Sequence, residues 1–157
     1  MRRISRPAPP TGLARVLFRV PIHLYRSRLG WLLGGRFMLL THTGRVSGKQ
    51  RQVVIEVVGR ENGSYLACSG FGTGAAWYRN VLATPDATIQ IRHRSIPVIA
   101  EPMSAAEGAE TMATYASKSP AAARKLCRFM GFEVDGSAAD FREVGRELPF
   151  VRFTPRS

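Results

Sequence analysis

Acidic residues are almost missing from the first sixty positions of this chain. Glu56 stands there against twelve Lys or Arg, a balance of 12 − 1 = +11. Residues 61–157 hold eleven bases and ten acids, 11 − 10 = +1, so nearly the whole net charge of +12 lies in the first part. Such a field argues for an anionic partner: a phosphate, a lipid headgroup or a nucleic acid.

Cysteine is scarce. Cys68 and Cys127 are far apart and form no C-x-x-C, which excludes a disulfide scaffold and predicts two reduced thiols in a cytoplasmic protein. The three histidines, His23, His42 and His93, are not spaced for metal ligation with a Cys or carboxylate, so no metal site is predicted. Zinc-finger spacing, RNA-binding aromatic signatures and helix-turn-helix patterning are also lacking, so nucleic acid is the less favoured anion. Long apolar runs are missing too. Leu13–Leu33 is rich in apolar residues, but Arg15, Arg19, Arg26 and Arg28 interrupt it, short of the ~20 residues a spanning helix needs. The opening Met-Arg-Arg leads to Arg6 and prolines instead of the apolar core of a signal peptide.

What remains is ordinary for a globular protein: 45% apolar and 22% charged residues across 157 positions, about one domain's worth. Residues 1–11, with Pro7, Pro9 and Pro10, are predicted to be a flexible tail. Residues 12–33 read as a basic amphipathic helix, kinked or restarted at Pro21. It either packs over one end of the domain with its arginines solvated, or lies on an anionic membrane surface at the inner face of the cell membrane. The expected division is thus 1–33, tail and helix, and 34–157, the folded domain.

Within that domain, alternation predicts strands over Arg36–His42, Gln52–Arg60, Ser64–Ser69, Ala87–Arg92, Ser95–Glu101 and Pro149–Thr154, with an Asn62-Gly63 turn and another at His93-Arg94. Thr73 is the expected N-cap of a helix through Ala83. Ser104-Ala105-Ala106-Glu107 is a capping box for a helix to about Ser117, Ser119-Pro120 opens another, and Ala138–Leu148 is a third, while Gly131–Gly136 reads as a plain connection. About six antiparallel strands without βαβ alternation predict an α+β fold, a small barrel with peripheral helices.

Two segments carry chemistry. In the loop Thr43-Gly44-Arg45-Val46-Ser47-Gly48-Lys49-Gln50-Arg51, glycines allow a tight turn, Thr43 and Ser47 offer hydroxyls, and Arg45, Lys49 and Arg51 supply cations. It is not a P-loop. It reads equally as an anion cradle or a solvated basic turn. In Ala76-Trp77-Tyr78-Arg79-Asn80-Val81, Trp77 and Asn80 share a helix face, which suits either a core position or a wall and edge for a flat ring.

Taken together these segments resemble a known family. Thr41, Thr43, Gly44, Arg45, Ser47, Gly48, Lys49 and Arg51, followed by Ala76, Trp77, Tyr78, Asn80, Ala83 and Pro85, are similar to the motifs of the deazaflavin (coenzyme F420)-dependent nitroreductases, also called F420-dependent quinone reductases. The resemblance runs loosely from Pro21 to Glu101. It implies a split β-barrel akin to FMN-binding reductases, with F420 as cofactor and FMN as the alternative. It also implies hydride transfer to an electron-poor small molecule such as a quinone, nitroaromatic or enone. Arg45, Ser47, Gly48, Lys49 and Arg51 would hold the cofactor's phosphate and glutamate tail, with Trp77 and Asn80 near its ring. Some relatives associate with membranes through an amphipathic N-terminus, and split barrels commonly dimerise. Two departures stand out: Arg51-Gln52-Val53-Val54 lacks the R-x-T-P of many members, and Cys68–Ala75 lacks their Lys and His before the Trp. Ser69, Tyr78 and Tyr115 are candidate proton donors. The rival readings are a flavin- or haem-using relative on the same barrel, a non-catalytic cofactor or lipid binder, and nucleic-acid or membrane binding through the basic first sixty residues.

Overall fold

Strand β5, Ser64–Cys68, buries side chains on both of its faces, and this decides the architecture. Tyr65 and Ala67 enter one apolar cluster while Leu66 and Cys68 join another. A sheet with two dry faces must curl around one core and carry helices over the other. The computed structural model describes residues 1–3, 36–70 and 72–156 and shows that arrangement.

In chain order its elements are β1 (Arg2–Arg3), β2 (Phe37–Thr43), β3 (Gln50–Glu56), β4 (Gly59–Glu61), β5, α1 (Ala76–Ala83), β6 (Asp86–Ile91) and β7 (Arg94–Pro102). Then follow α2 (Ala105–Lys118), α3 (Pro120–Phe129), β8 (Phe132–Glu133), α4 (Ala138–Glu147) and β9 (Phe150–Pro155). The main sheet runs β3-β2-β6-β7-β9-β5-β4, antiparallel throughout. Its two outer members, β3 and β4, are separated in the chain only by Val57 and Val58. The predicted strand Gln52–Arg60 is therefore one strand bent at Val57-Val58, pairing β2 before the bend and β5 after it. The sheet thereby curls into the split barrel of an α+β fold.

Inside the barrel lie Met38, Leu40, Ile89, Val98, Val151 and Phe153, with Trp77 and Val81 of α1 closing one end. On the outer side Phe150, Phe132, Phe141 and Met112 fill the space beneath α2, α3 and α4. A fully buried phenylalanine such as Phe150 or Phe153 contributes roughly 2 kcal/mol. Helices α2 and α4 touch backbone to backbone through Gly108 and Gly145: a Cβ added at Gly108 would stand 2.6 Å from the Gly145 carbonyl oxygen. The capping box of α2 is formed, with Glu107 N–H donating to Ser104 Oγ and Ser104 N–H to Glu107 Oε1. Arg152 of β9 then binds Glu107, reaches Glu101 at 2.8 Å and Glu61 at 3.7 Å, and so ties α2 to three strands.

Several local expectations are corrected. Thr73 lies in a 3-10 turn, Gly72–Gly74, and α1 begins after Ala75 with no side-chain cap. The reason is Ser69, whose Oγ donates to the Gly72 carbonyl at 2.6 Å and ties Gly72 back to the end of β5. The β6–β7 hairpin turns at Arg92-His93, one residue earlier than expected, because Arg92 takes a left-handed φ of 55° and Ile91 pairs with Arg94. The connection after α3 contains β8, which pairs with Arg2–Arg3 where a flexible tail is expected, and the Met1 amino group stands 2.7 Å from Asp140. The predicted helix at 12–33 and its membrane contact lie outside the described residues. Among the described residues no helix is long and apolar enough to cross a membrane.

Candidate functional site

The end of β2, the starts of β3 and β6 and helix α1 meet at one end of the barrel. The basic loop is the β2–β3 connection, closed on itself: Gly44 N–H donates to the Lys49 carbonyl at 2.8 Å and Gly48 N–H to the Gly44 carbonyl at 2.9 Å. Gly48 has φ of 70°, which a side chain would strain. Ser47 Oγ accepts from Lys49 N–H at 3.2 Å. Gly44 is buried beneath this turn, and a Cβ there would meet Ser47 Oγ at 2.7 Å and Arg51 Nε at 3.8 Å. Arg51 thus folds back over the loop. Lys49 and Arg51 are exposed and form no ion pair among the described residues.

Helix α1 is fastened to this loop through Asn80. Its Oδ1 accepts from the Arg45 backbone N–H at 3.0 Å and from Arg45 Nη1 at 2.8 Å, and its Nδ2 faces His42 Nδ1 at 3.0 Å. Arginine nitrogens only donate, so the atom facing Arg45 is the amide oxygen and the amide nitrogen must donate to His42. His42 is therefore the neutral tautomer with its proton on Nε2. Burial, then the charge of Arg51 across the strand pair, lowers the His42 pKa from 6.5 to about 4. Both causes favour that neutral form.

Trp77, one turn before Asn80, is only 7% exposed; its ring lies 6.3 Å from Phe153 and edge-on to Tyr78 at 6.1 Å. It is a core residue at the mouth of the barrel. Thr43 ends β2 beside the loop. Of the three expected proton donors, Ser69 is fully buried with its hydroxyl hydrogen committed to Gly72. Tyr78 is half-buried on α1, with no hydrogen bond from its hydroxyl among the described residues. Tyr115 lies elsewhere. Its hydroxyl donates to Glu56 Oε2, which also pairs with Arg36 Nε at 3.6 Å, and burial followed by that carboxylate pushes the phenol up to about 12. Glu56 ends β3, about 17 Å along the strand from Arg51.

The structure thus brings Thr43, Arg45, Ser47, Gly48, Lys49 and Arg51 together with Asn80 and Trp77, and separates Tyr115 from them. His42 escapes sequence reasoning as a site residue. The signal for it was the alternation Met38, Leu40, His42, which places a polar ring on the barrel's inner face opposite Arg51.

Exposed cations without an ion-pair partner among the described residues, beside a hydroxyl and a buried glycine, are a donor set for an extended polyanion, and a nucleotide-like cofactor with a charged tail fits it. Residues 17–127 match the model of the family described as F420H(2)-dependent quinone reductase. The fold is similar to that of an F420-H2 dependent reductase (24% identity, TM-score 0.52, covering 75% of this chain and 93% of the other). It is also similar to a protein solved as a domain-swapped dimer (21%, 0.53, covering 85% and 98%). A third similar structure is a protein of unknown function from Agrobacterium tumefaciens (14%, 0.58, covering 96% and 60%). Comparison with curated protein sequences finds no match. On the family match the chain belongs to the F420H(2)-dependent quinone reductase family, and is an oxidoreductase whose cofactor is coenzyme F420.

Proposed function

We propose that Arg45, Ser47, Gly48, Lys49 and Arg51, with Thr43 at the rim, hold the phosphate and glutamate tail of F420, and that Trp77 and Asn80 stand on the ring side of the site. The acceptor is an electron-poor small molecule, a quinone, nitroaromatic or enone. The observation that carries this reading is the pair of exposed cations, Lys49 and Arg51, left without carboxylate partners among the described residues on a loop closed by its own Gly44–Lys49 and Gly48–Gly44 backbone hydrogen bonds. Reduced F420, when bound, supplies the hydride. The chain's part is to anchor the tail by charge and to offer a proton where the acceptor gains negative charge. Tyr78 serves that second role best of the three hydroxyls, since Ser69 and Tyr115 already donate to Gly72 and Glu56.

Cofactor fluorescence, followed during titration with F420 and with a deazaflavin lacking the tail, tests the anchoring. Two charge-assisted contacts at an exposed site predict that a Lys49→Ala/Arg51→Ala double variant weakens F420 on the order of 100-fold. The tailless compound should lose about twofold at most by the same reasoning. Equal losses for both ligands, or none for either, would defeat the assignment.

A further inference from the structure

We infer that Asn80 is a positioning residue for the anionic tail: clamped by His42, its amide oxygen fixes Arg45 without neutralising it. The inference rests on the tail-binding role proposed for the loop and reassigns Asn80 within that site from ring to tail.

The geometry has three parts. Asn80 is 4% exposed, and its Oδ1 takes both a backbone N–H and a guanidinium N–H of the same arginine. One residue on α1 thereby sets where the loop starts and where its first cation points. The orientation of the amide is not free, because Nδ2 donates to His42 Nδ1, and His42 is itself 4% exposed on the inner face of β2. Finally, the oxygen facing Arg45 belongs to a neutral group. A carboxylate would hold a guanidinium more strongly but would cancel its charge, leaving less field for an incoming phosphate. An amide holds the arginine and leaves its charge to the ligand.

Asn80→Asp separates these functions. The introduced carboxylate still accepts from Arg45, but it has no proton for His42 Nδ1, so two acceptors face each other unless His42 binds a proton there. The groups that surround His42 in that variant are Arg51 from β3, Arg45 from the loop and the new carboxylate from α1. Purified Asn80→Asp should bind F420 roughly tenfold more weakly, while the tailless deazaflavin changes by about twofold at most. Nitrogen-15 spectra of the imidazole should show Nδ1 unprotonated at pH 7 in the native chain and protonated in the variant, which checks the clamp, while the selective loss of F420 over the tailless compound is what a purely structural Asn80 would not give.

His42 provides a second route should that variant fail to fold. It is buried, and its hydrogen bond to the ligand site runs through Asn80. His42→Leu removes the acceptor and should weaken F420 by about fivefold, selectively over the tailless compound. His42→Gln, which again offers an oxygen to Nδ2, should restore most of that loss. Native F420 affinity in His42→Leu, or equal losses for both ligands in either variant, overturns the role of Asn80. If the Lys49/Arg51 double variant retains its F420 affinity as well, the tail-binding loop itself falls. If that double variant loses it selectively, only the Asn80 assignment does.

Discussion

The two ends of β3 use charge in opposite ways. At its start, Arg51 and Lys49 are exposed cations with no carboxylate among the described residues, held over a loop whose shape is fixed by neutral groups, Gly44, Ser47 and Asn80. At its end, Glu56 is wrapped by Tyr115 and Arg36 under the helical layer. Further along that layer Arg152 is shared by three glutamates and Arg142 binds Glu110 at 2.9 Å. Charges engaged by partners stabilise a fold but offer little to a ligand. Neutral scaffolding under free cations contributes less to stability and keeps the field available.

The sharpest way to break this contrast is acid. His42 titrates at about 4 in the folded chain against 6.5 in an unfolded one. Between those values the unfolded chain takes up a proton that the folded chain refuses, so stability is full above about pH 6.5 and falls as the pH drops toward 4. The loss is on the order of 3 kcal/mol. Denaturant titrations at several pH values should show that slope in the native chain, and His42→Gln should remove it. An unchanged slope in the variant would mean that His42 is not held neutral between Asn80 and Arg51. Smaller, and confined to the helical layer, is Gly108→Ala. Its methyl would press on the Gly145 carbonyl oxygen and stand 2.9 Å from the Phe150 ring, an overpacking cost of about 2 kcal/mol. F420 affinity should be unaffected, because α2 and α4 carry none of the loop.

Much of this was legible in the sequence where local chemistry decides. Val53, Ile55 and the Met38–Leu40 alternation mark β2 and β3, and Ser104 with Glu107 marks the start of α2. The loop's composition and the spacing of Trp77 and Asn80 point to one site. What was not legible depends on contacts between distant residues. The bend at Val57-Val58 arises because the strand changes neighbours, and the pairing of Arg2–Arg3 with Phe132–Glu133 is too short for any periodicity. Thr73 satisfies every local rule for an N-cap, yet Ser69 bonds Gly72 first. Asn80 is the instructive case at the site. Its type and spacing suit a ring edge, and only the folded chain shows its amide already engaged by Arg45 and His42.

The smallest expected effect decides where the chemistry sits. Tyr115 is a plausible acid by residue type, but its hydroxyl is bound to Glu56 and its pKa is pushed up to about 12, which makes proton release harder, not easier. Replacing it by Phe removes one hydrogen bond from a half-buried carboxylate that keeps Arg36 as its remaining partner. A cost of about 1 kcal/mol is expected, since the carboxylate edge retains water and an arginine. Turnover with a quinone and affinity for F420 should both stay near native, because the phenol stands a strand's length from Arg51. A Tyr115→Phe variant that folds normally yet loses turnover more than about tenfold, well beyond what that stability change allows, would move the reacting centre to the Glu56 end of β3. The two ends of the strand would then have to exchange roles.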